Sequence, residues 1–299
     1  MSISSFLNAD IPKINLVLVR VGAKHRISAL LNVPKDRRNW DLAVSCYDEI
    51  CFAEGAYIDY QHFYQGGKWD GIYNFFSEHA DLITNYDYFW LVDDDIETNP
   101  QQVDDIFNYV KLHQFELAQP ALTLDSYYSH RLTLECKGFL HRNTNLVEIM
   151  APILSRNILK KILPKFENTR SGFGIDWYWQ RLVDRPESSI AIIDAYPVGH
   201  RRPLRQHLRG MMKKEGLCPN QERQNLVEKL GLRTLYAVAT QGLLKNGKII
   251  SSRYKMTWLM TNVYWQTRHL ITARPWFIWD FMIFCWRQLF MPLGLPKNN

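Results

Sequence analysis

The sequence predicts an α/β fold, a sheet sandwiched by helices, followed by a mainly helical C-terminal region. Three observations carry this. Short apolar runs rich in β-branched and aromatic residues alternate with helical spacings through residues 1–200. Several of those runs end abruptly in Gly or Asp clusters. Beyond about residue 205 the strand signals fade and helical patterns dominate. The expected division is therefore an α/β domain over 1–205 and a basic, Trp-rich helical region over 206–299.

In order, residues 14–20 (INLVLVR) read as a buried strand closed by Val21-Gly22. Residues 41–47 and 56–64 read as two more, the latter ended by Gly66-Gly67. Trp69, Ile72, Tyr73, Phe76, Ala80 and Ile83 recur at helical spacing, predicting a helix over 69–83. A fourth strand, 87–92, runs straight into Asp93-Asp94-Asp95, and Pro100 opens a helix to about 113. Strand character follows at 117–121, 131–136 and 146–154. Ser155 caps a short helix to about Leu163; 171–174 is a loop and 175–183 a helix. The last strand, 189–196, leads into Pro197-Val198-Gly199-His200.

Composition narrows the class. Of 299 residues 46% are apolar and 22% charged, which is globular material. No run of about 18 uncharged apolar residues marks a membrane span, and the N-terminus lacks the pattern of a secretory signal. Five scattered cysteines without a CxxC pair argue for free thiols in a reducing compartment, against a disulfide framework or a zinc cluster. A cytoplasmic protein is expected, peripheral at the inner face of the membrane. The net charge of +6 is uneven: residues 201–274 carry 15 Lys or Arg against 3 acids, whereas residues 1–200 are net acidic. The first part suits a cation; the second suits phosphates, an anionic polymer or a membrane surface.

Three motifs carry chemistry. A buried strand delivering Asp93, Asp94 and Asp95 at its C-terminal end places mutually repelling carboxylates where open α/β sheets bind ligands, so a cation is expected there. Mg2+ or Mn2+ is held in such places by few carboxylates plus substrate phosphates. Alternation along an extended chain puts Asp93 and Asp95 on one side and Asp94 on the other. Second, Ser171-Gly172-Phe173-Gly174-Ile175-Asp176-Trp177 offers close backbone approach and then a carboxylate among aromatics, the setting of a general base. An acid in a helix's first turn is also favoured by the helix dipole alone. Third, His200 ends a strand and precedes Arg201-Arg202, an imidazole for a metal and guanidinium groups for phosphates.

In this order the motifs resemble nucleotide-sugar glycosyltransferases with the GT-A fold, and more closely an uncharacterised glycosyltransferase family of bacteria and plants. The blocks that carry the closer likeness are Tyr88–Asp95, Gln119-Pro120-Ala121, Ser129-His130-Arg131, Glu148–Pro152 and Gly172–Asp176, within residues 14–203. The resemblance implies a GT-A-like Rossmann-type mixed sheet flanked by helices. It implies Asp176 as the base of an inverting transfer, and Asp93, Asp95 and His200 as ligands to Mn2+ or Mg2+. On the donor side it places Arg20, Val21, Gly22, Asp48, Lys68, Asp70, Asp94, Arg201 and Arg202. On the acceptor side it places His130, Arg131, Glu148 and Trp177. The partners implied are a nucleotide sugar and a glycan or lipid-linked acceptor in cell-surface polysaccharide or lipopolysaccharide synthesis. The alternatives are a nucleotidyltransferase or other nucleotide-diphosphate enzyme, for which Val21-Gly22-Ala23-Lys24 is a faint shadow of the usual glycine-rich loop, and a non-catalytic polyanion or nucleic-acid binder using residues 201–274. No recognised nucleic-acid motif is present, so no nucleic-acid partner is expected.

Five of the ten tryptophans lie between 258 and 286. As a helix, residues 276–287 put Asp280, Arg287 and Gln288 on one narrow stripe, with apolar residues around the rest. Such a helix packs on protein or lies in a membrane interface.

Overall fold

The computed structural model describes residues 15–49, 56–167, 169–203, 218–271, 277–292 and 294. The boundary expected near 205 lies outside them, as do Cys51 and Trp276. Strand β1 (Asn15–Val21) is buried along its whole length. Val17, Val19 and Val21 join one apolar cluster and Leu16 and Leu18 another, as the two-residue period of a strand requires. A strand buried on both faces needs cover on both.

The remaining elements follow as α1 (Ser28–Leu31), β2 (Trp40–Cys46), β3 (Tyr60–Phe63), α2 (Lys68–Glu78), α3 (Leu82–Asn85), β4 (Tyr88–Asp93), β5 (Ile96–Glu97), α4 (Pro100–His113), β6 (Leu117–Leu122), β7 (Phe139–Thr144), β8 (Ile153–Ser155), α5 (Arg156–Ile162), α6 (Ile175–Tyr178), β9 (Ile190–His200), α7 (Pro219–Lys229), β10 (Ala239–Leu244), β11 (Ile249–Ile250), α8 (Arg253–Gln266) and α9 (Phe277–Phe290). The sheet order is β11-β10-β7-β9-β6-β8-β4-β1-β2-β3, with β5 paired to the end of β9. Strands β1 to β4 are mutually parallel, and β8 inserts antiparallel between β4 and β6. Because β9 is parallel to β6, the C-terminal ends of β1, β2, β3, β4, β6 and β9 share one edge of the sheet. α2 and α5 cover one face through Trp69, Phe75, Phe76, Ile158 and Ile162. α4 covers the other through Val103, Ile106, Phe107 and Val110. Its ends follow local rules: the Asn99 side chain accepts from the Gln102 N–H at 2.9 Å, Pro100 occupies the first turn, and Gln114 closes it at φ 52°.

This is the mixed sheet flanked by helices that the sequence predicts, with four local differences. Residues 131–136 are not a strand. Arg131–Thr133 form a 3-10 turn, and the carbonyls of Leu132 and Leu134 accept from Arg142 instead of a neighbouring strand. The strand of this stretch is β7, whose Arg142, Asn143 and Thr144 are buried polar residues and so carry no apolar period. Of the expected strand 146–154 only β8 forms, and the helix expected over 69–83 divides at His79 into α2 and α3. Finally, the C-terminal region is mainly helical but also holds a hairpin, β10–β11, which extends the sheet beyond β7. The four described cysteines, Cys46, Cys136, Cys218 and Cys285, are free thiols.

Candidate active site

A cavity of about 590 Å³ opens at the shared C-terminal edge of the strands. Twelve of the residues singled out from the sequence line it, among them Asp93, Asp95, Asp176 and His200. Each is placed there by an element described above. β4 ends in Asp93, and the turn after it carries Asp94 and Asp95 into β5. β5 pairs antiparallel with the last residues of β9, Ile96 opposite His200 and Glu97 opposite Gly199. The expected strand 189–196 thus runs on to His200 and lays it beside Asp95.

The three carboxylates have three different environments. Asp93 pairs with Lys68 at 2.6 Å, and the Lys68 ammonium also donates to the carbonyls of Ile149 at 2.6 Å and Met150 at 3.3 Å. Burial raises the Asp93 carboxyl to about 6, with Lys68 pulling against the rise. Asp94 is a brace: its Oδ2 accepts from the Gly22 N–H at 2.9 Å and its Oδ1 lies 3.2 Å from Arg202. Asp95 lies 3.4 Å from His200 Nε2 and 3.7 Å from Arg202 Nε. Burial would raise its pKa, but His200 and Arg202 hold it below the ordinary carboxylate range. Its second oxygen, Oδ1, is buried and has no hydrogen-bond partner.

His200 Nδ1 sits 2.7 Å from the Tyr127 carbonyl. A carbonyl only accepts, so Nδ1 carries the hydrogen and Nε2 is the atom facing Asp95. Burial lowers the His200 pKa, but the Asp95 carboxylate outweighs it and the net shift is upward. A carboxylate with one oxygen unpartnered and the other beside an imidazole nitrogen fits a divalent cation that takes its other ligands from water and phosphate. Among the described residues no cluster of three or more His, Cys, Asp or Glu could hold a metal by itself.

The opposite chemistry comes from Glu148 and Asp176. Glu148 is 3% exposed, and its Oε1 accepts from the His130 N–H at 3.2 Å. Burial, with the nearby Asp176 charge, pushes it up to about 8. Burial raises Asp176 to about 6, held back by the Gly174 N–H that its Oδ1 accepts at 3.2 Å and by Arg223. The Ser171–Gly174 loop that presents Asp176 needs its glycines. Gly172 has φ +73°, and a Cβ there would run into the Trp69 ring; Gly174 has φ +99°. The Glu222 carboxylate on α7 accepts from the N–H groups of Ser171 and Gly172 and holds the loop in place.

Residues 62–234 match the family described as "Protein of unknown function (DUF707)". The chain belongs to this family. No curated protein matches it. Among solved structures, residues 1–349 of TarS from S. aureus in complex with UDP-GlcNAc are similar at 10% identity, over 65% of this chain and 60% of that one, with a TM-score of 0.45. A197 from STIV is similar at 13% identity, over 80% of this chain and 93% of that one, with a TM-score of 0.37. The chain therefore spans under two thirds of the TarS fragment.

Five residues singled out from the sequence of this DUF707 protein do not line the cavity. Val21 is wholly buried in the sheet, and its carbonyl is taken by the Tyr47 N–H. The Gly22 N–H is spent on Asp94. Asp70 lies 3.3 Å from Arg170 and also accepts from the Gly71 N–H. Arg201 turns outward to Glu97 and Asp125, each at 2.6 Å. Arg131 points away from the cavity to Asp280 of α9 at 2.8 Å.

Arg20 does line the cavity, but its guanidinium donates to Ser45 and to the carbonyls of Cys46, Tyr64, Gly66 and Gly67. It shapes the loop before α2, with no N–H left for a ligand. Lys68 is likewise committed to Asp93. Asp48, Asp94, Arg202, His130 and Trp177 line the cavity as expected. Sequence reading missed Arg170, which directly precedes the Ser171–Gly174 loop, and Arg223 and the supporting Glu222 on α7. Helix α7, PNQERQNLVEK, has only Pro219 buried, so no apolar period announced which of its residues face the site.

Proposed function

We propose that the protein is an inverting, metal-dependent glycosyltransferase that moves a sugar from a nucleotide-sugar donor to a glycan or lipid-linked acceptor in cell-surface polysaccharide or lipopolysaccharide synthesis. One observation carries this reading. A single cavity at the C-terminal edge of the sheet gathers an Asp95–His200 pair with an unsatisfied carboxylate oxygen, cationic side chains beside it, and a second pair of carboxyls raised by burial. The first half suits a diphosphate, the second a hydroxyl that must lose a proton.

Asp95 and His200 would hold Mn2+ or Mg2+, which when bound neutralises negative charge on the departing diphosphate. Arg202, with Arg170 and Arg223, adds fixed positive charge in the same cavity. Asp176, titrating near about 6, is ionised at neutral pH and accepts the proton of the acceptor hydroxyl. Glu148, at about 8, keeps its own proton there, so of this pair Asp176 is the charged member and the one able to act as base. Trp177, with the Arg223 guanidinium 5.4 Å from its ring centre, offers an aromatic surface to a sugar ring. In-line attack from the acceptor side inverts the anomeric carbon.

A thermal-shift screen of UDP-, GDP- and ADP-sugars with and without Mn2+ tests the reading, since a ligand bound only by the folded state raises its apparent stability. The expected result is one nucleotide class that stabilises the protein and does so more strongly with Mn2+. No stabilisation by any of them, with or without the metal, overturns it.

A further inference from the structure

Helix α9 sits with its polar stripe inward. Asp280 accepts from Arg131 Nε at 3.0 Å, Arg131 Nη2 at 2.8 Å and the Tyr128 hydroxyl at 3.0 Å. Gln288 is wholly buried and exchanges two bonds with the backbone of Ala239 on β10, at 2.7 and 2.9 Å. Arg287 lies 5.4 Å from the Tyr236 ring centre. Arg253 of α8 donates to the carbonyls of Arg287, Gln288 and Met291 at the end of α9. These contacts fix the rotation of the helix. Turning it to bury its apolar side would leave Arg131, Asp280 and Gln288 without these partners.

Phe284 beside the stripe is buried, and the opposite apolar side faces out. Ile278, Trp279, Met282, Trp286 and Phe290 are between 50% and 66% exposed. On α8, Tyr254, Trp258 and Trp265 are exposed too. A groove of about 540 Å³ between the two helices, walled by Trp258, Trp265, Phe281, Cys285 and Leu289, joins the two stripes. Soluble proteins seldom leave so large an aromatic surface uncovered.

We infer that this face docks on a bilayer containing anionic phospholipid, with α8 and α9 lying in the interface plane. Two features of the face choose this occupant. Four of its eight exposed large residues are tryptophans, whose rings are favoured at headgroup depth. Its charge is of one sign: among the described residues of 249–294 the only acid is Asp280, against Arg253, Lys255, Arg268 and Arg287. Asp280 is turned inward to Arg131, while Arg268 stacks 4.9 Å from the Trp265 ring centre at the edge of the face. A second copy would set Arg268 and Lys255 against a surface with no acid to answer them, whereas an anionic headgroup layer answers both. No helix among the described residues is long and apolar enough to cross a membrane, so the contact lies on the surface. The Arg131–Asp280 pair ties this face to one wall of the cavity, because His130 beside Arg131 lines it. An acceptor carried by a lipid would then arrive next to the site, a consequence that rests on the function proposed above, while the docking does not.

Flotation of the purified full chain decides it. One arm uses vesicles of phosphatidylcholine and phosphatidylglycerol in equal parts, the other phosphatidylcholine alone. The protein should float with the mixed vesicles, less so with the neutral ones, and its tryptophan emission should shift to the blue on binding. Trp279→Glu with Trp286→Glu should weaken binding by at least about tenfold, and Trp258→Glu on the other helix should do the same independently. Arg268→Glu should reduce the preference for the anionic vesicles. A wild type that stays unbound to both vesicles overturns the proposal. So does sedimentation velocity showing a dimer that Trp279→Glu dissociates while flotation is unchanged.

Discussion

His200 Nε2 lies 3.4 Å from Asp95 Oδ2 because β5 pairs with the last residues of β9. With Nδ1 bound to the Tyr127 carbonyl, Nε2 faces a carboxylate, and the contact is favourable only with a proton or a cation at that nitrogen. If Mn2+ takes that place, Mn2+ should strengthen UDP or GDP binding to the wild type in calorimetric titrations. His200→Ala and Asp95→Asn should lose about 10–100-fold of that enhancement while keeping the metal-free affinity. Equal enhancement in all three proteins rules out the pair as the metal site.

Asp176 is the one carboxyl of the second pair that is charged at neutral pH. Asp176→Asn keeps the shape and the Gly174 contact but cannot take a proton. Transfer should fall by about 10²–10⁴-fold, with donor affinity measured by calorimetry unchanged. Wild-type turnover in this variant would remove Asp176 from the role of base.

The positions of these groups were partly legible in the sequence. An apolar strand ending in three aspartates fixes where Asp93–Asp95 must lie, because open α/β sheets bind at that edge. Gly172 and Gly174 likewise announce the loop before Asp176. What the sequence hid were long-range commitments. Nothing near Arg20 shows that its donors are consumed by carbonyls of the loop before α2. Nothing in 131–136 shows that its carbonyls serve Arg142, and an apolar count reads that stretch as a strand. The inward turn of the polar stripe of α9 was hidden for the same reason: the stripe was visible, but its partners Arg131, Tyr128 and Ala239 lie in distant segments.

Glu148 and Asp176 together set a pH profile. Activity should rise as Asp176 loses its proton near about 6 and fall as Glu148 ionises near about 8, putting a like charge beside the base. Glu148→Gln should abolish the alkaline limb and leave the acid limb in place. The stability effect has a definite sign. Glu148 titrates above its unfolded value of 4.5, so the folded state binds more protons between there and about 8, and stability falls as pH rises through that window. Melting curves should show Glu148→Gln gaining on the wild type as pH increases from 5 to about 8. A constant difference across that range contradicts the assignment.

Arg142 and Asp194 form a wholly buried, two-bonded ion pair, with Nε–Oδ2 and Nη2–Oδ1 both at 2.8 Å. Arg142 also donates to the Leu132 and Leu134 carbonyls and to the Tyr264 hydroxyl of α8, so one guanidinium joins β7, β9, α8 and the turn before β7. Removing one partner leaves an uncompensated charge in the core. Asp194→Ala should cost about 3–5 kcal/mol, read as a lower urea midpoint. Replacing both by apolar residues, Arg142→Met with Asp194→Leu, should cost less than the two single changes added together, because neither charge is then stranded. Because β9 delivers His200, the single variant should also lose Mn2+-dependent nucleotide binding at urea concentrations where the wild type still binds. Additive costs in the double variant would mean that the pair's charges are not coupled, and that the strands are held by packing alone.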